Sequence, residues 1–317
     1  MKLAFNSSNS GLGNNGGTKT IIKCCEALNS IGHECDIITV ADKFTWFEHK
    51  PPVRYMPNDL DVIIAVANSD VVGTLRSNVD KKAWYIRGHE SWSAPEYLLE
   101  DYYRNPNILN IVNSKGLQQK LTTYRADSVV VYSGIDLGMW EDRRLRYREL
   151  GQKKIRIGCL YNGKPTKRWE DFVELASILG HDDYEYVGIG DKERKDGFLS
   201  AFWANISIDE LNNVYNSCDI WFAPTELEGL FNVSMEAALC GCLIICSDAP
   251  MNGMCMDYAF DGDTAMVYEA RNIEQAAEII KNPNWDLVDK MYDHLVNNIS
   301  SREVNMKKLV DYLEEQL

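Results

Sequence analysis

The sequence predicts an α/β protein made of two domains, each a parallel sheet covered by helices. Short apolar runs of strand length alternate with amphipathic runs of helix length along the chain, which is the pattern of doubly wound sheets. A glycine-rich loop follows the first strand, as at the start of a βαβ unit. The 317 residues suffice for two domains of about 150 residues each. We place the boundary near residue 150, which gives domains 1–150 and 151–317.

The composition is that of an ordinary globular protein, with 45% hydrophobic and 25% charged residues. No stretch approaches the roughly 20 apolar residues of a membrane span, and the N-terminal MKLAFNSSNS lacks the apolar core of a signal peptide. We therefore expect a cytoplasmic protein without stable membrane insertion, with its nine cysteines reduced. Cys240, Cys242 and Cys246 straddle a helix end and a strand without a matching second pair, so we assign no zinc site.

The net charge is −14, from 33 basic and 47 acidic residues. This charge disfavours broad attraction to nucleic acids or anionic membranes. The segment DRRLRYREL is a local exception, with arginines at positions 143, 144, 146 and 148. We interpret it as a solvated linker helix, and a basic patch is the alternative.

The N-terminal strand, Met1 to Asn6, leads into the loop SSNSGLGNNGGTK and a helix from about Thr18 to Ile31. The glycines at 11, 13 and 16 spell GxGxxG, the fingerprint of dinucleotide-binding loops. In that fingerprint the first glycine follows the strand directly, whereas four polar residues intervene here, and we expect the helix to begin only after Gly17. The match is therefore weak, and an NAD-dependent oxidoreductase remains an alternative.

A histidine follows the strand Lys82 to Ile86, in the sequence RGHE. The carboxyl ends of strands are where α/β sheets bind ligands. His89 could hydrogen-bond to substrate hydroxyls or move a proton near neutral pH, with Glu90 orienting it. The alternative is a histidine packed at a loop corner.

The most informative stretch runs from Asp219 to Asp248, and it predicts a strand, a loop, a helix and a second strand. Pro224 ends the first strand, Asn232 can cap the helix, and Gly241 provides its left-handed stop. The expected strand, helix and strand cover residues 219–223, 233–240 and 242–246.

Two carboxylates lie within this stretch, Glu228 on the loop and Glu236 in the first turns of the helix, with seven residues between them. Gly229 lets the backbone approach a ligand closely, and the helix N-terminus offers free N–H groups to a diphosphate. A carboxylate one turn further in can accept hydrogen bonds from sugar or ribose hydroxyls. The alternative is an ordinary βαβ unit whose glutamates are merely solvated.

The segment EGLFNVSMEAALCG resembles the Glu-x7-Glu signature of the retaining GT-B glycosyltransferases, the family 4-like enzymes, whose common form is EGFGxxxxEAxxxG. Gly16-Gly17-Thr18 and Ser133-Gly134-Ile135-Asp136 are similar to two further segments of that family and occur in its order. The resemblance implies the GT-B fold, with two Rossmann-like domains facing across a cleft and a C-terminal helix crossing back to the first domain. It also implies that the first domain binds the acceptor and the second the nucleotide-sugar donor.

The loop YNGKPTKR departs from the family pattern. Family members usually carry an arginine at the position of Cys159 and a lysine a few residues later, and both clamp the donor diphosphate. We expect Lys167 to take the lysine's part, with Arg168 or Lys164 compensating for the missing arginine. A cation is needed there because the leaving nucleotide gains negative charge. A solvated basic turn is the alternative.

The reaction that the resemblance implies is transfer of a sugar, with retention of anomeric configuration, from a nucleotide-sugar to an acceptor hydroxyl. It implies no bound metal and no cofactor, and we expect a UDP-sugar rather than a GDP-sugar donor. The acceptor stays open: a glycan or lipid-linked sugar is favoured, and a protein or a hydroxymethylated DNA base of a virus is also possible. We expect His89, Glu228 and Lys167 to be catalytic. The residues expected to bind the donor are Gly16, Gly17, Lys164, Arg168, Trp203, Gly229, Leu230, Phe231, Asn232 and Glu236.

Trp203 lies where the family contacts the nucleotide base, and a core tryptophan is the alternative. Two further readings share the expected fold. One is a GT-B epimerase or phosphorylase, which would use a related cleft without transfer to an acceptor. The other is an inactive nucleotide-sugar binder, suggested by Cys159 at the position of the family's arginine.

Overall fold

The computed structural model describes residues 1–142 and 154–316. They form two compact units, Met1–Gly134 with Ser300–Leu317 and Ile135–Ile299. The predicted boundary at residue 150 and the arginines at 143–148 lie outside the described residues, so that boundary stays a prediction. Among the described helices, none has both the length and the apolar character needed to cross a membrane.

Unit 1, Met1–Gly134 with Ser300–Leu317, has a six-stranded sheet. Its strands are β1 Lys2–Asn6, β2 Glu34–Ile38, β3 Val62–Ala65, β4 Lys81–Ile86, β5 Leu109–Val112 and β6 Val129–Val130. All are parallel, in the order β2-β1-β3-β4-β5-β6. The central strand β3, VIIA, is buried throughout, as expected for a parallel strand covered on both faces. The covering helices between the strands are α1 Gly16–Ser30, α2 Asn68–Leu75, α3 Glu96–Tyr103 and α4 Lys115–Thr123.

Unit 2, Ile135–Ile299, has a second six-stranded parallel sheet. Its strands are β7 Ile155–Tyr161, β8 Tyr184–Gly190, β9 Ala201–Ala204, β10 Ile220–Ala223, β12 Leu243–Ser247 and β14 Met266–Tyr268, in the order β14-β12-β10-β7-β8-β9. The short strands β11 Leu227–Glu228 and β13 Met251–Asn252 pair separately. The helices are α5 Trp169–Leu179, α6 Ile208–Ser217, α7 Asn232–Leu239, α8 Met254–Asp257, α9 Ile273–Lys281 and α10 Leu287–His294.

The last helix, α11 Arg302–Glu315, belongs to unit 1. Its apolar face joins the buried cluster that contains the core residues of α1. The Arg302 guanidinium donates to the carbonyl oxygen of Ser133 at 2.6 Å. Gly134 has φ +72°, and a Cβ there would lie 2.4 Å from the Cα of Arg302, so only glycine fits where the last helix begins. The C-terminal helix thus packs within the first unit, as the fold class predicts.

Two element boundaries differ from the sequence prediction. Helix α1 begins at Gly16 rather than after Gly17, because the Asn15 side chain caps it by accepting from the Thr18 N–H at 2.8 Å. Helix α7 begins at Asn232, which we had expected to cap it; the preceding residue, Phe231, is instead left-handed at φ 51°. Further along the chain, a π-helical turn over Leu295–Ile299 and Ser300 at φ 66° separate α10 from α11.

Candidate functional site

The strand order of unit 2 reverses between β7 and β10, since β8 continues from β7 on one side and β12 from β10 on the other. The crevice at the carboxyl ends of two such strands is the usual ligand site of a doubly wound sheet. Here the loop after β7 carries Lys164 to Arg168, and the loop after β10 carries Thr225 to Glu228. The fold therefore brings together two loops that are about 60 residues apart in sequence.

Lys167 and Glu228 form an ion pair at this reversal. Their side chains are 13% and 11% exposed, and the Lys167 ammonium lies 4.4 Å from the centre of the Phe231 ring. A partly desolvated cation over an aromatic face is held more firmly than one in water. Three residues that the sequence predicts for the site thus lie in contact: Lys167 from the loop after β7, Glu228 from the loop after β10, and Phe231 directly before α7.

Thr225, which no sequence pattern singled out, is buried beside this pair. Its hydroxyl donates to Oε1 of Glu228 at 2.7 Å and lies 3.1 Å from the carbonyl oxygen of Thr166. The Thr225 hydroxyl therefore connects the loop after β10 to the loop after β7, next to the Glu228 carboxylate. The available signal was a hydroxyl side chain directly after Pro224, at the carboxyl end of a buried strand, where polar residues tend to face ligands.

The backbone of the loop from Glu228 to Phe231 is fixed by contacts from Gly253 and Tyr258. The N–H of Gly253 donates to the carbonyl oxygen of Glu228 at 3.2 Å. A Cβ on Gly253 would lie 1.9 Å from the carbonyl oxygen of Gly229, so this approach requires glycine. The Tyr258 hydroxyl donates to the carbonyl oxygen of Phe231 at 3.0 Å. These contacts fix the backbone that enters α7.

Helix α7 carries the second predicted carboxylate, Glu236, on its first two turns. The side chain is 7% exposed, and the Tyr215 hydroxyl donates to its Oε2 at 3.3 Å. Leu230 is buried, and Asn232 is half-buried at the first turn of the helix. The structure thus places Glu228 and Glu236 at the two ends of one loop-to-helix segment, as their spacing predicts.

Arg168 is surrounded by acids. Its guanidinium bonds to Asp171 at 2.6 Å and lies 2.9 Å from Glu170 and 3.7 Å from Glu226. The hydrogen bond to Asp171 raises the pKa of Arg168 further. Because its charge is balanced by these neighbours, Arg168 offers less to an incoming anion than Lys167 does.

Cys159, which stands where family members usually carry an arginine, lies in the hydrophobic core. Cys159 is 1% exposed in the buried cluster of unit 2, and burial raises the pKa of its thiol well above the ordinary range. A neutral thiol there cannot serve as a cation. Lys164, the third candidate, is exposed just before the short 3-10 turn that contains Lys167.

Trp203 is half-buried on β9, where it pairs with Ile189 of β8. Two strands, β7 and β8, lie between β9 and β10 in the sheet, so Trp203 is not next to the reversal. A stack of Arg194 on Tyr161 lies nearer the reversal, at the carboxyl end of β7, with the guanidinium carbon 4.2 Å from the ring centre. The base-stacking role of Trp203 remains a prediction.

In unit 1, His89 is 5% exposed and both ring nitrogens are engaged. Nδ1 lies 3.2 Å from the Tyr103 hydroxyl and Nε2 lies 2.9 Å from Glu96. Burial lowers the pKa of His89, and the bond to Glu96 opposes that shift. The expectation that Glu90 orients His89 is wrong, because Glu90 instead accepts from the N–H and the side-chain amide of Asn68, both at 2.7 Å. Glu96, the first residue of α3, takes that position.

Gly16 and Gly17 form the first turn of α1, beside the carboxyl end of β1. Unit 1 has its own reversal between β1 and β3, so this turn lies at the ligand-binding edge of the first sheet. Gly16 is exposed, and Gly17 packs against Arg87, the residue that follows β4.

Comparison with known proteins agrees with this architecture. Residues 156–282 match the model of the glycosyl transferases group 1. No curated protein matches the sequence significantly. Among solved structures, sucrose-phosphate synthase from Thermosynechococcus elongatus is 14% identical with a TM-score of 0.79, and HepE of Anabaena in complex with UDP-glucose is 14% identical with a TM-score of 0.80; both alignments cover 100% of each chain.

A glycosyltransferase from Rickettsia africae is 16% identical with a TM-score of 0.74, over 99% of this chain and 98% of that one. Likeness of this kind over the full length shows the fold, and the family match falls on the unit that carries the Lys167–Glu228 pair. The chain thus has the GT-B fold, and its region 156–282 is similar to the glycosyl transferases group 1.

Proposed function

We propose that the protein is a retaining glycosyltransferase that moves a sugar from a UDP-sugar to an acceptor hydroxyl without a bound metal. The observation that carries this proposal is the convergence of Lys167, Glu228 and the N-terminus of α7 at the strand reversal of unit 2. A cation, a carboxylate and a helix N-terminus are what a diphosphate with an attached sugar requires. The complex of HepE with UDP-glucose, on the same fold, supports the choice of UDP.

Each predicted residue has a separate part in this proposal. Lys167 and the first N–H groups of α7 stabilise the charge that develops on the leaving diphosphate. Glu228 accepts hydrogen bonds from hydroxyls of the donor sugar, and Thr225 fixes the orientation of that carboxylate. Glu236, further along the helix, accepts from the ribose hydroxyls.

The transfer breaks the bond between C1 of the sugar and the phosphate oxygen, and the electron pair stays on the diphosphate. The acceptor oxygen forms the new bond to C1 on the same face. Its proton passes to the departing phosphate oxygen, so no protein nucleophile is needed. The first unit would supply the acceptor site, with Gly16, Gly17 and His89 beside it, and a glycan or lipid-linked sugar is the acceptor we favour.

One specific observation supports a second candidate, an inactive nucleotide-sugar binder. Cys159 is buried in the core, and Arg168 is balanced by Asp171 and Glu226, so Lys167 is left as the cation of this loop closest to Glu228. A site with fewer available cations could bind the nucleotide-sugar donor without catalysing the transfer of its sugar.

Calorimetry with UDP, GDP and ADP, and then with their glucose conjugates, tests the proposal. UDP should bind and raise the melting temperature by mass action. Labelled UDP-glucose should then be consumed, either by transfer to glycoside acceptors or by slow hydrolysis. Binding without any consumption would favour the inactive binder, and no nucleotide binding at all would exclude both candidates.

Two further measurements address the finer parts of the proposal. The anomeric configuration of the product, read by NMR, should match that of the donor. Turnover should survive a chelator, because Lys167 and the helix N-terminus do the work that a metal would otherwise do. Inversion at C1, or loss of turnover restored by a divalent cation, would contradict those parts and leave glycosyl transfer itself intact.

A further inference from the structure

Two cysteines of unit 2 face each other behind the loop that carries Glu228. Cys246 lies on β12 and is fully buried, whereas Cys255 lies in the short helix α8. Their Sγ atoms are 3.9 Å apart, which is the separation of two thiols in contact rather than of a disulfide. All nine cysteines are among the described residues, and Cys255 alone is partly exposed. A reagent in solution therefore reaches this thiol pair through Cys255.

The two thiols differ in how readily they lose a proton. The hydrogen bond to Cys255, together with burial, raises the pKa of Cys246. The same hydrogen bond lowers the pKa of Cys255, and burial and the carboxylates of Asp248 and Asp261 oppose that shift. Cys255 is therefore the thiol that reacts first as a thiolate, and Cys246 is the second thiol of the pair.

Helix α8 is connected at both ends to the loop that runs from Glu228 to Phe231. Gly253, directly before the helix, donates its N–H to the carbonyl oxygen of Glu228 at 3.2 Å and packs too closely on the loop for any side chain. Tyr258, directly after the helix, donates its hydroxyl to the carbonyl oxygen of Phe231 at 3.0 Å. A displacement of α8 is therefore transmitted to the backbone of this loop.

Bringing the two sulfur atoms to a disulfide bond length of about 2.05 Å would move α8 rather than the strand. Strand β12 pairs with β10 on one side and β14 on the other, and every residue from Leu243 to Ser247 is buried. Helix α8 has only four residues. The Cys255 thiol donates to the carbonyl oxygen of Ser247 at 3.4 Å, and oxidation would remove the hydrogen that makes this bond.

We propose that Cys246 and Cys255 form a reversible disulfide that displaces the Glu228–Phe231 loop and lowers glycosyl transfer. This inference rests on the proposed function, because it assigns a regulation to the same site. The two cysteines are only nine positions apart in sequence, and one of them is partly exposed. Exposed disulfides are the ones that reducing agents open readily, so the bridge acts as a switch rather than as a permanent link.

The oxidant is a low-molecular-weight disulfide, for which glutathione disulfide is the probe. The Cys255 thiolate attacks one of its sulfur atoms and releases one glutathione thiolate; Cys246 then loses its proton, attacks the sulfur of Cys255 and releases the second. Two protein thiols are thereby oxidised to one disulfide, and one glutathione disulfide is reduced to two thiols. A peroxide is a poorer probe, because it would also oxidise Met251, Met254 and Met256 beside Cys255.

The first experiment tests whether this disulfide forms, and it needs no substrate. The folded protein is equilibrated in glutathione buffers with an increasing oxidised fraction, and its free thiols are then alkylated. After denaturation it is digested with a protease that cleaves before aspartate. Cleavage before Asp248 and Asp257 separates the two cysteines, so the disulfide joins peptides 219–247 and 248–256 in the mass spectrum. Dithiothreitol should separate the two peptides again.

Two variants should lose this link, Cys255→Ser and Cys246→Ala; the serine variant is sufficient if the alanine variant folds poorly. Cys25→Ala, at a buried cysteine of unit 1, is the matched control and should keep the link. A link from Cys255 to Cys240 or Cys242, a glutathione adduct that persists on Cys255, or no modification at all would overturn the proposed pair.

The second experiment measures the displacement of the loop by amide hydrogen exchange. In the oxidised wild type, exchange over residues 226–234 should speed up by roughly fivefold or more relative to the reduced protein, while exchange over β12 stays unchanged. Cys255→Ser in the oxidising buffer should match the reduced wild type. Equal exchange over 226–234 in the oxidised and reduced wild type would contradict the coupling of the disulfide to the loop.

The third experiment measures turnover of UDP-glucose. Oxidation of the wild type should reduce turnover by about tenfold or more, since a small misplacement near a reacting centre costs rate. Dithiothreitol should restore it, and Cys255→Ser should keep its full turnover in the oxidising buffer. Full turnover of a wild type in which the Cys246–Cys255 disulfide has formed would overturn the regulatory role.

Failure of the reduced wild type to bind UDP or to consume UDP-glucose would count against the proposed function instead. In that case the peptide link and the hydrogen exchange would still decide whether Cys246 and Cys255 form a disulfide that moves the loop.

Discussion

The two units have similar sheet topologies, but the residues at the carboxyl edges of the two sheets differ. Each has six parallel strands with a reversal of strand order, between β1 and β3 in unit 1 and between β7 and β10 in unit 2. At the second reversal a lysine and a glutamate pair with each other above a buried threonine. At the reversal in unit 1, Arg87 and Asp70 hydrogen-bond mainly to backbone groups. The exposed residue there is Gly16.

The difference indicates a division of labour. A lysine–glutamate pair with small exposed fractions can exchange its partner for a charged ligand, because each side chain keeps a face toward solvent. Arg87 already bonds to two backbone carbonyls, so it shapes the loop without being free to bind. We therefore expect charge changes in unit 2 to affect chemistry directly, and those in unit 1 to act through geometry.

The largest expected effect is that of Lys167→Ala, which removes the cation from the reversal of unit 2. Turnover of UDP-glucose should fall by roughly 10²-fold or more, because the developing charge on the diphosphate loses its closest counter-charge. Steady-state kinetics would measure it. Lys281→Ala, at an exposed lysine paired with Glu278, should have no effect. A Lys167→Ala enzyme with near wild-type turnover would remove the main support for the site.

Glu236→Ala should weaken UDP binding by on the order of 10- to 100-fold, the range expected when a hydrogen bond to a charged group is lost. Calorimetry with UDP gives the dissociation constant, and the thermal shift with UDP should shrink in parallel. Tyr215→Phe removes the hydroxyl that donates to Glu236 and leaves the carboxylate in place, so its effect should be much smaller. Equal losses in the two variants would indicate a packing role for Glu236.

Thr225→Val should lower turnover by about five- to tenfold, because Glu228 loses the hydroxyl that orients it while the volume of the side chain is kept. Thr225→Ser retains the hydroxyl and should keep most of the rate. The comparison of the two variants isolates the hydrogen bond from the packing. If Thr225→Val and Thr225→Ser have the same turnover, Thr225 contributes only to packing of the core.

The smallest expected effect lies in unit 1, at the acid that holds His89. The hydrogen bond from Tyr124, with those from Lys120 and His89, lowers the pKa of Glu96 from 4.5 to about 2. A lowered pKa means that the stabilisation is present above about pH 4.5 and is lost as the pH falls toward 2. Glu96→Gln should therefore reduce the stability at pH 7 by less than about 1 kcal/mol, since Glu96 is half exposed.

Urea unfolding at pH 7 and pH 3 would measure this difference, which should shrink at the lower pH. Glu278→Gln is the surface control. A stability difference that does not change with pH would show that Glu96 contributes by packing rather than by its charge. A larger loss of turnover than of stability in Glu96→Gln would instead support the proposed catalytic part of His89.

Local features of the fold could be predicted from the sequence alone. Apolar runs and glycines were enough to predict the α/β class, because strand and helix periodicity is written into neighbouring residues. The spacing of Glu228 and Glu236 within a single loop and helix was likewise readable, and so was the left-handed stop at Gly241, found at φ +87°. The start of α7 was mispredicted, since a left-handed Phe231 has no sequence signal.

Which distant residues come into contact could not be predicted in this way, because it depends on the folded arrangement of the strands. Lys167 and Glu228 are 61 positions apart and come together because β7 and β10 are neighbours in the sheet. Arg87 reaches Gly17 across 70 positions for the same kind of reason. The contacts of Thr225 and Gly253 also depend on loops that strand order brings side by side. Strand order follows from how whole faces are buried, and that is a property of the folded chain rather than of any short segment.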